Sequence, residues 1–460
     1  MPRVTVKTKI RLWMTPVLAA LSLFALILYL AGAQGAAMWL SFLVFGSACL
    51  LRIMMAQRYF SCDVMHWLYL FFFFYLSPTL QYTLNSFTFG MQPLPLVLVR
   101  CNMMMLIWVT GYCAVYDMLI LRSRGALKTV HQKTNVRFLS RRMMSGLLIY
   151  SCLVAVFMLA RGGINVMLTK PAGEMAFWFY NQAVTLLVTF IMRHGVTFCA
   201  AYALLGFKEK KWGAAWPIAA AVPLLISCSP FGMPRFQAAA IYIGLALILR
   251  PKLSKKSVFI YGFCGAFMFA FPFLDYMRYA NLLDIDIVNS FKEVVKGLTG
   301  TLISAHFDGY VMLVKAQHHV ATYGLTFGRQ MLGALLFFIP RTWWPDKPLG
   351  TGYFIQQTLG LKKKFLNVSA SMIEEGYINF GLLGILLFAG LMALLNRSLD
   401  TPPYGEKDNS PFKKLVYPFL PPMIFFMVRG DMMSTFAYFS SYAVIGLVVL
   451  RLAERVAAKE

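Results

Sequence analysis

Runs of about twenty apolar residues, each long enough to span a bilayer as a helix, recur from one end of the chain to the other. In lipid every backbone N–H and C=O must be paired within the protein, so such runs fold as helices or not at all. The pattern predicts about twelve spans, near 12–31, 37–57, 62–81, 93–121, 143–160, 178–206, 213–229, 236–250, 257–274, 377–396, 415–428 and 432–450. Of the 460 residues, 59% are hydrophobic and 13% charged, against roughly 25% charged in soluble domains. That excludes an ordinary soluble enzyme, a disordered tail and a nucleic-acid-binding domain.

The charge balance, 43 Lys and Arg against 18 Asp and Glu for a formal +25, reads as topology, because basic residues concentrate in cytoplasmic links. Every second link is basic. Arg3, Lys7, Lys9 and Arg11 precede the first span, Arg52 and Arg58 flank the cytoplasmic end of the second, and a cluster runs from Arg122 to Arg142. Lys208, Lys210 and Lys211 come next, then Arg250, Lys252, Lys255 and Lys256, then Arg397 to Lys414, and finally Arg451, Arg455 and Lys459. The alternation predicts an even number of spans with both termini in the cytoplasm. The opening stretch resembles a signal peptide but has no small-residue cleavage site, so it is read as a retained first span. The eight cysteines lie in or beside apolar runs and make no disulfide or zinc framework.

The expected architecture is therefore an all-α polytopic bundle in three parts. Residues 1–274 form the first nine spans, 275–376 a long exterior segment, and 377–460 the last three spans and a cytoplasmic tail. Within the exterior segment, Ile285, Val288, Phe291, Val294 and Leu298 recur at helical spacing, as in a helix lying on the membrane surface. A second helix is expected over about 301–318. Met331–Ile339 is apolar, too short to span and stopped by Pro340, so it dips into the bilayer edge or packs on the bundle.

Four arginines fall on the exterior face: Arg235 opening a span, Arg278 closing one, Arg341 in Ile-Pro-Arg-Thr-Trp-Trp-Pro-Asp-Lys-Pro, and Arg429 in a short Arg-Gly-Asp turn. A guanidinium stays charged when partly desolvated and binds phosphate oxygens through two parallel bonds. Converging forks suit a lipid-linked diphosphate; taken singly, each could equally snorkel to headgroups. Arg193-His194 and Arg100 lie inside spans, where a charge points to a polar cavity or a partner. For proton transfer the candidates are Glu375, beside Glu374 at the start of a span, then Asp308 and His306. A pair of carboxylates there also complements a helix N-terminus. No spacing of His and acid places two metal ligands on one helical face, Asp284-Ile285-Asp286 is a weak signal, and no metal is assigned. Asn367-Val368-Ser369 fits a glycosylation acceptor, a pattern too short to weigh. Walker and dinucleotide motifs are missing, which argues against an ATP-driven pump.

The run Tyr323-Gly324 to Gly328-Arg329-Gln330, followed by Gly333 to Pro340-Arg341-Thr-Trp-Trp344-Pro345-Asp-Lys347-Pro348, resembles the oligosaccharide repeat-unit polymerases, the Wzy or O-antigen polymerase family. Asn367-Val-Ser with Glu375-Gly376-Tyr-Ile-Asn379-Phe380-Gly381, His306-Phe307-Asp308, Pro234-Arg235 and Arg429-Gly430-Asp431 are similar too. The motifs cover roughly 230–435. An Arg-x10-Gly spacing described in that family fits Arg341 to Gly352; from Arg278 and Arg235 it lands on Asn289 and Ala246, so a second copy is missing. The resemblance implies a bacterial inner-membrane glycosyltransferase of GT-C-like plan, without cofactor, its active site facing the periplasm. It would pass a growing glycan from undecaprenyl diphosphate to a new lipid-linked repeat unit. A chain-length regulator and a flippase would be its pathway partners. Arg235, Arg278, Arg341, Arg429 and Arg193 would hold the diphosphate, and Glu375, Asp308 or His306 would take the acceptor proton. The alternatives are an O-antigen ligase, which shares the loop plan, and a flippase of lipid-linked oligosaccharides, which would favour internal repeats.

Overall fold

The computed structural model describes residues 6–56, 58–126, 138–164, 167, 182–270, 272–273, 292, 295, 297–360, 368–400 and 410–460. Among these, every regular element is helical. Seven helices are long and apolar enough to cross a membrane: α1 (Val6–Leu30), α2 (Gln34–Met54), α5 (Pro95–Ala126), α6 (Arg141–Gly162), α7 (Gln182–Lys208), α15 (Met372–Asp400) and α18 (Met432–Ala457). The protein is thus membrane-embedded. The other expected spans fall on shorter or interrupted helices. These are α3 (Cys62–Leu70) with α4 (Ser77–Thr83), α8 (Ala215–Ser227), α9 (Arg235–Leu249), α10 (Val258–Gly265), and α16 (Pro411–Leu415) with α17 (Leu420–Arg429).

Helices α5 and α15 lie along each other, with α2 on α5, α3 on α17, and α7 against α6, α8, α9 and α18. Two interruptions shape the region above them. Between α3 and α4 the run Phe71–Leu76 winds as a wider π-helical stretch, joining the two pieces into one rod. In α15 the helix breaks at Phe380 and Gly381; Gly381 has φ 64° and ψ −145°, a conformation open to glycine alone. The broken-off first turns, Met372 to Asn379, carry Glu374 and Glu375.

The exterior segment departs from expectation. The helix expected over 301–318 is interrupted: α11 (Leu298–Ile303) stops at Ser304, a short 3-10 turn spans Ala305–Phe307, and α12 (Gly309–Tyr323) starts afresh. Ser304 is extended (ψ 172°); its hydroxyl donates to the Thr301 carbonyl at the end of the old helix and accepts from the His306 N–H of the new turn, bridging the break. Most of the surface helix expected around 285–298, with Arg278, Asp284 and Asp286, lies outside the described residues. Next come α13 (Arg329–Leu335), packed on α15 and α18, and α14 (Thr351–Thr358), packed on α12.

Arg52 is not a loop cation. It sits in the last turn of α2, fully buried, and its guanidinium donates to both oxygens of Asp117 on α5 at 2.9 and 2.7 Å. Thr15 of α1 donates to the same carboxylate at 2.6 Å, tying three helices together. Nearby, Asp400 at the end of α15 accepts from the Cys62 and Asp63 N–H groups that open α3 and from the Tyr417 hydroxyl. Removing one partner of a buried pair strands the other charge, which costs about 3–5 kcal/mol, whereas an apolar pair of similar volume is often neutral. Arg52→Leu is therefore expected to lower the free energy of SDS-induced unfolding by that amount. The double variant Arg52→Leu/Asp117→Leu should recover most of it.

Candidate functional site

A cavity of about 780 Å³ opens where α9, α10, α17 and α18 meet the Ala305–Phe307 turn and the 368–369 loop. Its walls are aromatic: Phe236, Phe263, Phe267, Phe425, Phe426 and Tyr438, with Phe73 and Phe307 stacked on each other at 4.7 Å. The π-helical stretch turns Phe73 into this wall. The wider turn is a known companion of functional sites.

Three of the residues singled out in the sequence meet on this cavity. Arg235, at the start of α9 behind Pro234, lines one side, and Arg429, the last residue of α17, lines another. His306, an exposed residue, lines the same space. Arg429 is held in place: its Nη2 donates to the His306 carbonyl at 3.0 Å and stands 3.9 Å from Asp308 Oδ1, and its guanidinium lies 5.5 Å from the Phe73 ring centre. A cation at a helix C-terminus also meets the favourable end of the dipole.

Asp308 is buried behind Arg429, and both its oxygens are occupied by Ser369, the backbone N–H at 2.8 Å and the hydroxyl at 2.6 Å. The carboxylate therefore fixes the 368–369 side of the cavity and the arginine together. Glu375 is also buried. Its Oε1 accepts from the Met432 N–H and its Oε2 from the Thr351 hydroxyl, both at 2.9 Å, joining the starts of α18 and α14. Glu374 accepts from the Ser371 N–H and hydroxyl. Neither glutamate lines the cavity. Arg193, buried in α7, stands behind the Tyr438 wall, one turn from Phe190, whose ring meets Tyr438 at 4.7 Å. Arg100 lies on the exposed flank of α5 near the Tyr29 hydroxyl.

Arg341 is turned away from the site. Its guanidinium donates to the carbonyls of Lys347 and Pro348, a local clasp within its own motif. Burial, and then the neighbouring Arg341 charge, hold the Lys347 ammonium below its usual value.

The structure gives a place to one exterior carboxylate that the sequence names only within the Arg429-Gly430-Asp431 motif. Asp431 lines the cavity and caps α18 through the Met433 N–H at 2.8 Å; burial pushes its carboxyl above the usual range. Gly430 before it has no room for a side chain, because a Cβ would lie 2.4 Å from Thr435. The tight turn sends Arg429 and Asp431 to different tasks. The sequence offered Arg429 in this turn as a phosphate ligand, whereas Ser369 stood out there only within the Asn367-Val368-Ser369 motif, with nothing to announce its bond to Asp308. Among the described residues no three His, Cys, Asp or Glu side chains gather as a metal site. A second hollow of about 250 Å³ between α1 and α2 has no charged lining. No protein-family model, curated protein or solved structure matches the chain.

Ser369→Ala removes the hydroxyl donor from a buried carboxylate, a loss of about 1–3 kcal/mol. SDS-unfolding measurements on the variant should show a destabilisation of that size, while Ser369→Thr, which keeps the hydroxyl, should fall closer to wild type.

Proposed function

We propose that the protein is an inner-membrane glycosyltransferase that polymerises undecaprenyl-diphosphate-linked oligosaccharide repeat units, its cavity open to the periplasm. The observation that carries this reading is the convergence of Arg235, Arg429 and His306 on one aromatic-walled cavity in a helical membrane protein. The resemblance of its motifs to the repeat-unit polymerases points the same way. The helix count of about twelve and the GT-C-like plan belong to the same proposal.

In the reaction, a hydroxyl oxygen of the new repeat unit attacks the anomeric carbon of the growing glycan. The bond from that carbon to the diphosphate oxygen breaks, and the lipid diphosphate leaves with the electron pair. Guanidinium forks meet the oxygens on which that charge grows, in a pocket where burial strengthens each bond. Aromatic faces suit both isoprenoid and sugar. Of the three candidate bases, His306 is the one that lines the cavity, and in this reading it takes the acceptor proton. Asp308, saturated by Ser369, holds Arg429 in position, and Glu375 holds the frame.

Silver-stained glycan from a deletion strain carrying variant genes tests this. Arg235→Ala, Arg429→Ala and His306→Ala, each at wild-type protein level, should replace the long-chain ladder by a single-repeat band, for losses on the order of 10²–10³ in rate. Glu375→Gln should keep a ladder. Normal ladders from all three cavity variants would end the proposal. Free core with accumulated lipid-linked polymer in the deletion strain would instead indicate a ligase, and loss of both products a flippase.

A further inference from the structure

The Pro-Arg-Thr-Trp-Trp-Pro-Asp-Lys-Pro motif does not point its cations at the cavity, and its geometry suits a different task. From α13 onward the chain runs through an apolar turn, Leu336 to Ile339, to Pro340 and back to Pro348. Gln330, Gly333 and Ala334 face the bundle. Leu332 and Leu335, three apart on α13, face outward, and so do Phe338 and Trp343, 49% and 83% exposed. The depth is set by a ring contact: Phe337 meets Phe436 of α18 with centroids 6.4 Å apart. Phe436 is the fifth residue of that helix, about 6 Å from its first at 1.5 Å per residue. The outward-facing side chains thus flank the side of a helix that is itself apolar enough to span.

The backbone pairing fits the same location. With the helix ended at Leu335, the carbonyls of Phe337 and Ile339 have lost their helical donors, and the buried Lys347 ammonium donates to both, at 2.7 and 2.9 Å. Arg341 donates to the Lys347 and Pro348 carbonyls, and Arg329 to the Asp346 carbonyl at 3.2 Å. In water these carbonyls could be hydrated, and no ammonium need be buried to serve them; Lys347 is buried here, while Arg329 and Arg341 stay exposed at the rim of the hairpin. In hydrocarbon, irregular backbone persists only when its polar groups are paired by the protein. The exposed Leu332, Leu335 and Phe338 make an apolar face, with a tryptophan and two arginines at its edge as at a membrane–water boundary.

We propose that residues 329–348 form a re-entrant hairpin whose Leu332, Leu335, Phe338 and Trp343 face lies among the acyl chains of the leaflet on the Arg429 side. The proposal stands apart from the polymerase reading and concerns the lipid itself as occupant of this surface.

The test uses the full chain reconstituted in phosphatidylcholine nanodiscs, with and without lipid brominated at mid-chain. Trp343 emission is isolated as the difference between wild type and Trp343→Phe. The expected result is that this emission is shifted to the blue and loses most of its intensity in brominated lipid, while aqueous acrylamide barely affects it. A second probe, Phe338→Trp in the Trp343→Phe background, should be quenched by brominated lipid still more strongly. Quenching by acrylamide and not by bromine would place the hairpin in water and overturn the proposal. Protection from both quenchers would mean a protein covers the face, and would overturn it equally.

Discussion

A charge can enter an apolar bundle only in the company of its partners, and the arrangement of this protein follows from where those partners are found. At one end of the bundle Arg52 carries Asp117 and Thr15 with it, and Asp400 answers the free N–H groups at the start of α3. Near the cavity Asp308 is saturated by Ser369, and Glu375 by Met432 and Thr351. Each of these groups joins elements distant in sequence, so the polar contacts act as the joints of a frame whose bulk is packed Phe, Leu and Met. Burial of apolar surface supplies no orientation by itself; bidentate pairs and capped helix ends do.

The cavity is what this frame leaves open. Arg235 and Arg429 reach it from the ends of two helices, and His306 from a turn created by the break at Ser304. The carboxylates nearest to them hydrogen-bond to serine or to backbone, Asp308 with Ser369 and Asp431 with Met433. The proposed anion with an apolar tail would meet two guanidiniums beside aromatic walls, one of them, Arg429, fixed by the His306 carbonyl and Asp308.

Much of the fold was legible before any coordinates. The long helices α1, α2, α5, α6, α7, α15 and α18 follow the apolar runs closely, because hydropathy at helix length is a local property that lipid converts directly into structure. The convergence of Arg235 and Arg429 was partly legible too, since each stands beside a span end; His306, inside the exterior segment, was named only as a candidate base. What could not be read were features decided by distant partners. Arg52 looked like a loop cation because nothing near it in sequence announces Asp117. Arg341 looked like a phosphate ligand because its guanidinium chemistry is right, but the carbonyls of Lys347 and Pro348 claim it. Glu375 looked like a base because it borders a span, yet its two oxygens are committed to α14 and α18.

The widened turn at Phe71–Leu76 has a further consequence. Along a regular helix each residue rotates by 100°, so the angular relation between two ends of one rod is dictated by residue count alone. Accommodating extra chain in a broader coil breaks that rule and lets the two ends be aimed independently. The lower end then keeps its amides on Asp400 while the upper end keeps Ser77 on the carbonyl of Leu302 and Phe73 under Arg429. A single-residue deletion among those phenylalanines would leave the hydropathy profile almost untouched and still throw every side chain above it out of phase.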